Sequence, residues 1–273
     1  MNSNLYALIL GASSGFGKAV ALTLAKEGYH IIGVHLDRAA GLAQVEELKA
    51  QISALGVRAL FFNVNAADED RRKEVVDSIL KEFAQHQGAK IHLMLHSLAF
   101  GSLRSFVTES RANAITQKQL EMTLDVMANS LVYWTQDIHF AGLLANNGRI
   151  LSLTSAGSER NLPMYGAVSA AKSSLESYTR QLAMELAPYK ITVNTLRAGV
   201  TDTPALRKIP GSDLLIYNAM MRNPNHELTT PESVANVVKL IARPESQWIN
   251  GTVLGVDGGE DSVDITWWKP EEN

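Results

Sequence analysis

Tyr165 and Lys172 are two side chains whose types and spacing suit proton chemistry. They lie seven residues apart in the stretch SLTSAGSERNLPMYGAVSAAK, where a strand ends near Thr154 and a helix is expected to begin around Tyr165. Seven residues turn a helix through about 700°, so both side chains would share one face, roughly 10 Å apart along the axis. An ammonium near a phenol lowers the phenol's pKa by favouring the phenolate, and it can also bind a ribose. The pair predicts a tyrosine that binds or protonates a substrate oxygen, unless the spacing is accidental.

A glycine-rich loop near the N-terminus has the context of a phosphate-binding turn. It lies between an apolar run and the helix-forming run KAVALTLAKEG. Glycines let the backbone turn sharply and let a pyrophosphate approach main-chain N–H groups at the positive end of a helix. The spacing G-x3-G-x-G differs from the broader G-x-G-x-x-G pattern, and an ordinary structural turn is the alternative. In this context we predict dinucleotide binding by Gly11, Ser13, Ser14, Gly15, Phe16 and Gly17.

The residues that follow the second apolar run bear on which dinucleotide is bound. Asp37 lies twenty residues after the last loop glycine and could contact ribose hydroxyls, whereas Arg38 or a protonated His35 could pair with a 2′-phosphate. Capping of the next helix is the alternative role for Asp37. At the end of the third run, Asn63 and Val64 are expected beside the adenine, with an ordinary turn as the alternative.

Short apolar runs alternate along the chain with segments of helical periodicity. Seven runs are candidate strands: Leu5–Leu10, Ile31–His35, Ala59–Val64, Ile91–His96, Arg149–Leu153, Ile191–Leu196 and Thr252–Val256. Helical segments lie near residues 15–27, 39–55, 68–86, 117–145, 164–187 and 231–242. Gly28 and Gly56 are candidate C-caps, and Pro231 is expected to open the last helix. The alternation predicts an α/β fold, a doubly wound Rossmann-type parallel sheet of seven strands with helices on both faces.

Length and composition limit the classes of function. The 273 residues, 46% of them hydrophobic, can bury a full core, and one dinucleotide-binding domain over residues 1–273 is predicted. The 25 basic and 28 acidic residues give a net charge of −3, too balanced for a nucleic-acid binder. The absence of cysteine excludes disulfides and thiolate sites, and no metal site is predicted. Together with the lack of a targeting signal or membrane span, this predicts a cytoplasmic protein.

The longest stretch without strand character runs from Val200 to Asn225, directly after the sixth candidate strand. Insertions at the carboxyl edge of a doubly wound sheet face the ligand crevice. We therefore predict a substrate lid near residues 200–225. A surface excursion that carries an amphipathic helix is the alternative.

Over nearly its whole length the sequence resembles the short-chain dehydrogenase/reductases. The resemblance rests on the glycine loop, on Ser155 ahead of a helix, and on Asp257-Gly258-Gly259 at the last strand. In that family's ketoreductases the tyrosine lies four residues before the lysine, a position that is Val168 here. A tyrosine seven residues before the lysine, preceded by Pro163, resembles the divergent branch of enoyl-acyl-carrier-protein reductases.

Two further segments are similar to that branch. LHSLAFG, at residues 95–101, resembles its His-Ser segment, which implies cofactor contacts from His96, Ser97 and Leu98. AGVTDT, at residues 198–203, resembles the loop that holds the nicotinamide carboxamide, which implies contacts from Gly199, Thr201 and Thr203. His35 stands where NAD-preferring relatives carry an acid. The resemblance thus favours NADPH as cofactor, with NADH as the alternative.

Two positions depart from the pattern of the branch. Ser155 stands where many of its members carry another tyrosine and where ketoreductases place their catalytic serine, so we include it as a third candidate catalytic residue. Met127 stands about where many family members have a catalytic asparagine, and Asn129 is offset by two residues. A proton relay through an asparagine is therefore not expected.

The tyrosine spacing and the resemblance predict NAD(P)H-dependent reduction of the carbon–carbon double bond of a trans-2-enoyl thioester. In a ketone the oxygen is attached to the carbon that receives hydride, whereas in an enoyl thioester it lies two atoms further on. A tyrosine that lies about one helical turn farther from the lysine than in the ketoreductases agrees with the geometry of the enoyl thioester. The alternatives are a ketoreductase or hydroxy-dehydrogenase and, from a different class, a non-catalytic nucleotide-sensing protein.

The resemblance also implies partners. An acidic acyl carrier protein could bind three cations near the lid, Arg207, Lys208 and Arg222. The alternative is that these three side chains are merely solvated. An acyl channel, or alternatively core packing, would use Leu214, Leu215, Ile216, Met220 and Met221. A homotetramer is implied, and Trp267-Trp268 would pack on a neighbouring subunit or within its own.

Overall fold

A parallel sheet of seven strands forms the centre of the computed structural model, which describes residues 4–263. The strands are β1 Leu5–Leu10, β2 His30–His35, β3 Ala59–Asn63, β4 Lys90–His96, β5 Leu144–Thr154, β6 Thr192–Ala198 and β7 Val253–Val256. They are ordered β3-β2-β1-β4-β5-β6-β7, and every neighbouring pair is parallel. The predicted doubly wound sheet is thereby confirmed.

Helices cover both faces of this sheet. In the described part of the chain they are α1 Gly15–Lys26, α2 Ala39–Ala54, α3 Glu69–Ala84, α4 Gln117–Leu124, α5 Ser130–Phe140, α6 Gly166–Leu186, α7 Ser212–Arg222 and α8 Pro231–Ile241. One core cluster joins the sheet to α1, α2 and α8, and the other joins it to α3, α5 and α6. None of the helices between residues 4 and 263 is long and apolar enough to cross a membrane.

Strand β1 shows why this sheet is a two-sided core. Successive side chains of a strand point to opposite faces, and here both sets are apolar. Ala7 and Ile9 pack with the α1 side, while Tyr6, Leu8 and Leu10 pack with the α3 side, and all five are 0% exposed. A continuous apolar run of this kind is typical of a parallel strand covered by helices on both faces.

Several predicted helix ends are confirmed by their caps. Gly28 and Gly56 follow α1 and α2 with φ of +88° and +80°, the left-handed conformation that glycine adopts without a steric penalty. Pro231 is the first residue of α8, and the Thr230 side chain accepts a hydrogen bond from Ser233 N–H. These caps define where the connecting loops begin.

Two predicted boundaries near the site are wrong. The segment 117–145 is not one helix, because a π-helical turn at Asp125–Asn129 separates α4 from α5 and the chain then enters β5 at Leu144. Strand β5 is longer than predicted because Ile91 already pairs with Leu144, before a register shift that places Arg149 opposite Leu93. The segment 200–225 contains a 3₁₀ turn, Leu206–Lys208, and α7. The Trp267-Trp268 pair lies outside the described residues.

Candidate active site

A cleft lies at the carboxyl ends of the central strands. The strand order reverses direction between β1 and β4, and crevices at such switch points are the usual ligand sites of doubly wound sheets. The cleft encloses about 280 Å³. Its walls include nine of the predicted site residues: Phe16, Ser97, Leu98, Ser155, Tyr165, Lys172, Gly199, Thr201 and Thr203.

The glycine loop packs so tightly that side chains would disrupt it. Gly11 has a φ of +87°, and a Cβ there would lie 2.3 Å from the Ser97 carbonyl oxygen. A Cβ on Gly17 would lie 2.0 Å from the Gly11 carbonyl oxygen. Ser14 is the N-cap residue of α1, and its side chain makes no capping hydrogen bond. The first N–H groups of α1 are therefore left available for an anionic ligand.

The ends of β2 and β3 are joined by polar side chains. His35 Nδ1 lies 2.8 Å from Asp37 Oδ2, and Asn63 accepts from Asp37 N–H at 2.9 Å while it donates to Asp37 O at 3.0 Å. Val64 N–H donates to His35 O. Asp37 does not cap α2, since Arg38 is the N-cap residue and no side chain caps that helix. The buried His35 ring is bonded to Asp37, whereas Arg38 is exposed.

Tyr165 and Lys172 both line the cleft, as their spacing predicts. Tyr165 does not begin the helix but lies one residue before α6, after Met164 in the left-handed conformation with a φ of +62°. Such a conformation costs a non-glycine residue about 1–3 kcal/mol and is often found at functional sites. Lys172 is 8% exposed, and its ammonium donates to the Leu153 carbonyl at 2.7 Å.

The pKa of Tyr165 is raised, so the expected lowering by Lys172 is wrong. Burial of the phenol, which disfavours the phenolate, is the larger cause, and a hydrogen bond with Ser155 offsets part of it. Burial also lowers the pKa of Lys172 to about 8, against the opposing charge of Glu176. The site thus holds a protonated phenol and a lysine that loses its proton as the pH rises through about 8.

Ser155 directly follows β5 and connects the tyrosine to the strand. Its hydroxyl accepts from Gly157 N–H at 3.3 Å and is hydrogen-bonded to Tyr165. A Cβ on Gly157 would lie 2.5 Å from the Tyr165 ring, so this glycine lets the phenol pack against the turn. Sequence analysis missed Gly157, because a single glycine in a loop carries no distinctive signal.

The His96 side chain lies beneath the cleft and not in its wall. It is 1% exposed, and its Nε2 lies 2.8 Å from Ser130 Oγ. Burial, with a smaller contribution from the Lys172 charge, lowers the pKa of His96 to about 3, which keeps the ring neutral. Of the three residues predicted for this segment, Ser97 and Leu98 line the cleft, whereas the His96 side chain does not.

Met127 lines the cleft where the π-helical turn passes. Asn129 instead accepts a hydrogen bond from Tyr178 at 2.9 Å and is absent from the wall among the described residues.

The wall formed by residues 200–225 differs from the predicted acyl channel. Only Leu215 of the five predicted residues lines the cleft, and Leu214, Met220 and Met221 are exposed. The reason is the rotation of α7, which buries Ala219 instead. Ile216 is half-buried, and it is also absent from the cleft wall in the described part of the chain.

The three cations of this segment have different surroundings. Arg207 bonds to Asp202 and Asp213, both at 2.6 Å, on the protein surface. Lys208 lines the cleft without an ion pair to any residue between 4 and 263. Arg222 also lines the cleft and pairs with the buried Glu260 at 2.8 Å. Glu260 is a site residue that sequence analysis missed, because its partners lie far from it along the chain.

The seven-stranded sheet and the Tyr–Lys cleft at its carboxyl edge are those of a short-chain dehydrogenase/reductase. A family model described as Enoyl-(Acyl carrier protein) reductase matches residues 11–260. Because this match covers most of the chain, the protein belongs to the short-chain dehydrogenase/reductase family and is an oxidoreductase.

Curated relatives with different activities resemble the chain at similar levels. It is 29% identical to the 1-cyclohexenylcarbonyl-CoA reductase of Streptomyces collinus, over 92% of this chain and 85% of that protein. It is 26% identical to the 3-oxoacyl-[acyl-carrier-protein] reductase FabG of Thermotoga maritima, over 92% of this chain and 96% of that protein.

Solved structures share the fold. The enoyl-[acyl-carrier-protein] reductase (NADH) of Aquifex aeolicus superposes with a TM-score of 0.81 at 22% identity, covering 94% of this chain and 96% of the other. A short-chain dehydrogenase of Burkholderia cenocepacia in complex with NADP superposes with a TM-score of 0.77 at 27% identity, covering 94% and 97%.

Proposed function

We propose that the protein reduces the carbon–carbon double bond of trans-2-enoyl thioesters with NAD(P)H. The observation that carries the proposal is the composition of the cleft wall around α6. Tyr165 supplies a phenol seven residues before Lys172, whereas Val168, four residues before it, presents an apolar side chain to the same cleft. This arrangement supports a role for the phenol in stabilising an oxygen that is separated from the reduced carbon by two atoms.

The described residues fit a nicotinamide cofactor, which supplies the hydride when bound. The tight glycine loop and the free N-terminus of α1 suit a pyrophosphate. Lys172 would hold the nicotinamide ribose, and Gly199, Thr201 and Thr203 would face the nicotinamide. The exposed Arg38 favours NADPH, with NADH as the alternative. Relatives with NADP and NADH in their names support a nicotinamide cofactor of either kind.

The chain's own residues would stabilise the charge that develops on the substrate. A trans-2-enoyl thioester reduced at its β-carbon becomes an enolate, and its oxygen would accept a hydrogen bond from the Tyr165 phenol. Because burial raises the pKa of Tyr165, the phenol keeps its proton for this role. Ser155 orients the phenol through their hydrogen bond. Protonation at the α-carbon completes the reaction.

Thioester substrates of two kinds test the proposal. We expect crotonyl thioester to oxidise NADPH or NADH, measured by loss of cofactor absorbance, and acetoacetyl thioester to be turned over much more slowly. Each cofactor is assayed separately, and longer trans-2-enoyl thioesters define the acyl length. Turnover of the ketone without turnover of the enoyl substrate would contradict alkene reduction.

A ketoreductase is the second candidate, and the Ser155–Tyr165 hydrogen bond favours it. A serine bonded to the tyrosine could act on a carbonyl oxygen, and the FabG relative is named as a 3-oxoacyl reductase. The same pair of thioesters separates the two activities. Oxidation of cofactor with either substrate excludes the third candidate, a non-catalytic nucleotide sensor.

Activity is expected to fall as the pH rises through about 8. The pKa of Lys172 is lowered to about 8, so the ammonium predominates below this pH and the neutral amine above it. The proposed ribose and charge interactions need the ammonium, so kcat/KM should be lost on the alkaline side. Lys172→Arg keeps its charge at all accessible pH values, so any remaining activity should show no such decline. The same alkaline decline in Lys172→Arg would assign it to another group.

We further propose an acyl carrier protein as the thioester carrier and a homotetramer as the assembly. Lys208, at the cleft without an ion pair in the described chain, is the cation best placed for an acidic carrier. Comparison of KM for carrier-protein and coenzyme A thioesters tests the first proposal. Light scattering of the purified protein tests the second.

A further inference from the structure

Glu260 is a buried carboxylate in the wall of the cleft. It lies in the turn after β7 and is 3% exposed. Its two oxygens have different partners: Oε2 accepts from Val200 N–H at 2.9 Å, and Oε1 accepts from Arg222 Nη2 at 2.8 Å. A buried charge is costly unless it is paired and hydrogen-bonded, so the two contacts together offset the cost of burying this carboxylate.

The turn after β7 is built to aim this carboxylate inward. The Asp257 side chain accepts from the N–H groups of Gly259 and Asp261, at 3.0 and 3.1 Å. A Cβ on Gly199 would lie 2.9 Å from Glu260 Oε2, so the missing side chain lets the carboxylate approach the loop. Glu260 therefore reaches the loop formed by residues 199–203.

The guanidinium partner belongs to another element of the cleft wall. Arg222 is the last residue of α7, the helix whose Leu215 lines the cleft. The next residue, Asn223, donates to Asp257 O at 2.9 Å, which fixes the end of α7 against the same turn. One carboxylate thus joins α7, on the substrate side, to the 199–203 loop, on the proposed nicotinamide side.

We propose that Glu260 is a positioning residue that couples the α7 wall to the 199–203 loop, so that cofactor affinity depends on Arg222. The inference rests on the proposed nicotinamide site. Loss of the guanidinium would leave the buried carboxylate without a counter-ion, and the carboxylate would then turn towards water and release Val200 N–H. In this proposal Arg222 affects cofactor affinity by holding Glu260 against the 199–203 loop.

The test measures the dissociation constants of NADPH and NADH, by fluorescence titration without substrate, for Arg222→Met, Glu260→Gln and the double variant. We expect each single substitution to raise the Kd about tenfold, as a lost charge-assisted contact of about 1.4 kcal/mol would do. The double variant should show the same tenfold change and not a hundredfold one, because both substitutions break one coupled unit.

Arg58→Met is the matched control. Arg58 is exposed to the same degree as Arg222 and pairs with Glu82 at 3.7 Å, but it lies directly before β3, outside the cleft wall as described. The Kd of this variant should equal that of the unaltered protein. An unchanged Kd in Arg222→Met, or multiplied effects in the double variant, would overturn the coupling and leave the reductase proposal intact. Absence of NADPH and NADH binding to the unaltered protein would overturn the reductase proposal itself.

Discussion

Replacement of Tyr165 by phenylalanine is expected to lower kcat for crotonyl thioester about 10²- to 10³-fold, the usual effect of removing one hydrogen-bond donor to a developing oxyanion. The substitution removes only the hydroxyl that is bonded to Ser155 and leaves the ring packed against Gly157. Cofactor Kd should not change, because Lys172 keeps its own bond to the Leu153 carbonyl. Steady-state assays of cofactor oxidation give kcat, and fluorescence titration gives Kd.

Tyr178→Phe is the control for this variant. Tyr178 lies on the same helix, but its hydroxyl donates to Asn129 at 2.9 Å, outside the cleft wall as described. Its loss should leave kcat near that of the unaltered enzyme. If the two variants lose activity equally, or if Tyr165→Phe retains more than a tenth of kcat, the proposed role of Tyr165 is wrong.

Gly17→Ala is expected to weaken cofactor binding strongly. The new methyl group would lie 2.0 Å from the Gly11 carbonyl oxygen, so the loop must move away from the α1 N-terminus. Overpacking of this kind costs about 1–3 kcal/mol, which corresponds to about a 5- to 150-fold higher Kd if the cost falls on the bound state. Titration of NADPH fluorescence measures the change, with circular dichroism to check the fold.

Gly28→Ala separates this effect from general destabilisation. Gly28 has a φ of +88°, but a Cβ there meets nothing within 4 Å and lies at the far end of α1. Alanine in that conformation should lower the free energy of unfolding by about 1 kcal/mol and leave cofactor Kd unchanged. Equal cofactor affinity in Gly17→Ala and the unaltered protein would show that the glycine loop is not the pyrophosphate site.

The fold was predictable because strands and helices leave periodic signals in the sequence. The buried runs of β1 and β4 are bounded by turn residues, and glycines mark the ends of α1 and α2. The π-helical turn at Asp125–Asn129 was not predictable, because an extra residue in a helical turn leaves the apolar pattern on either side intact. The turn is evident only in the three-dimensional structure, where it separates α4 from α5.

The site was predictable where local motifs carry it. The glycine loop and the Tyr165–Lys172 pair each lie within one short segment, and Phe16, Tyr165 and Lys172 line the cleft. The Arg222–Glu260 pair spans 38 residues and depends on how α7 is oriented, which amphipathic patterning does not determine. The pKa of Tyr165 was predicted in the wrong direction, because burial, the largest cause of the shift, is a tertiary property.

The position of the Glu260 turn has a consequence for synthesis on the ribosome. Among the described residues, every other residue of the cleft wall except Asp261 precedes Glu260 in the chain, so α7 and the 199–203 loop emerge before the carboxylate that joins them. Chains fold from the N-terminal side as they are made, at about 5–20 residues per second. A nascent chain whose residues up to Val256 have left the ribosome could therefore assemble the parallel sheet and the glycine loop while its Arg222 still lacks a counter-ion. Under the proposed coupling, such a chain would bind the nucleotide about tenfold more weakly than the finished protein.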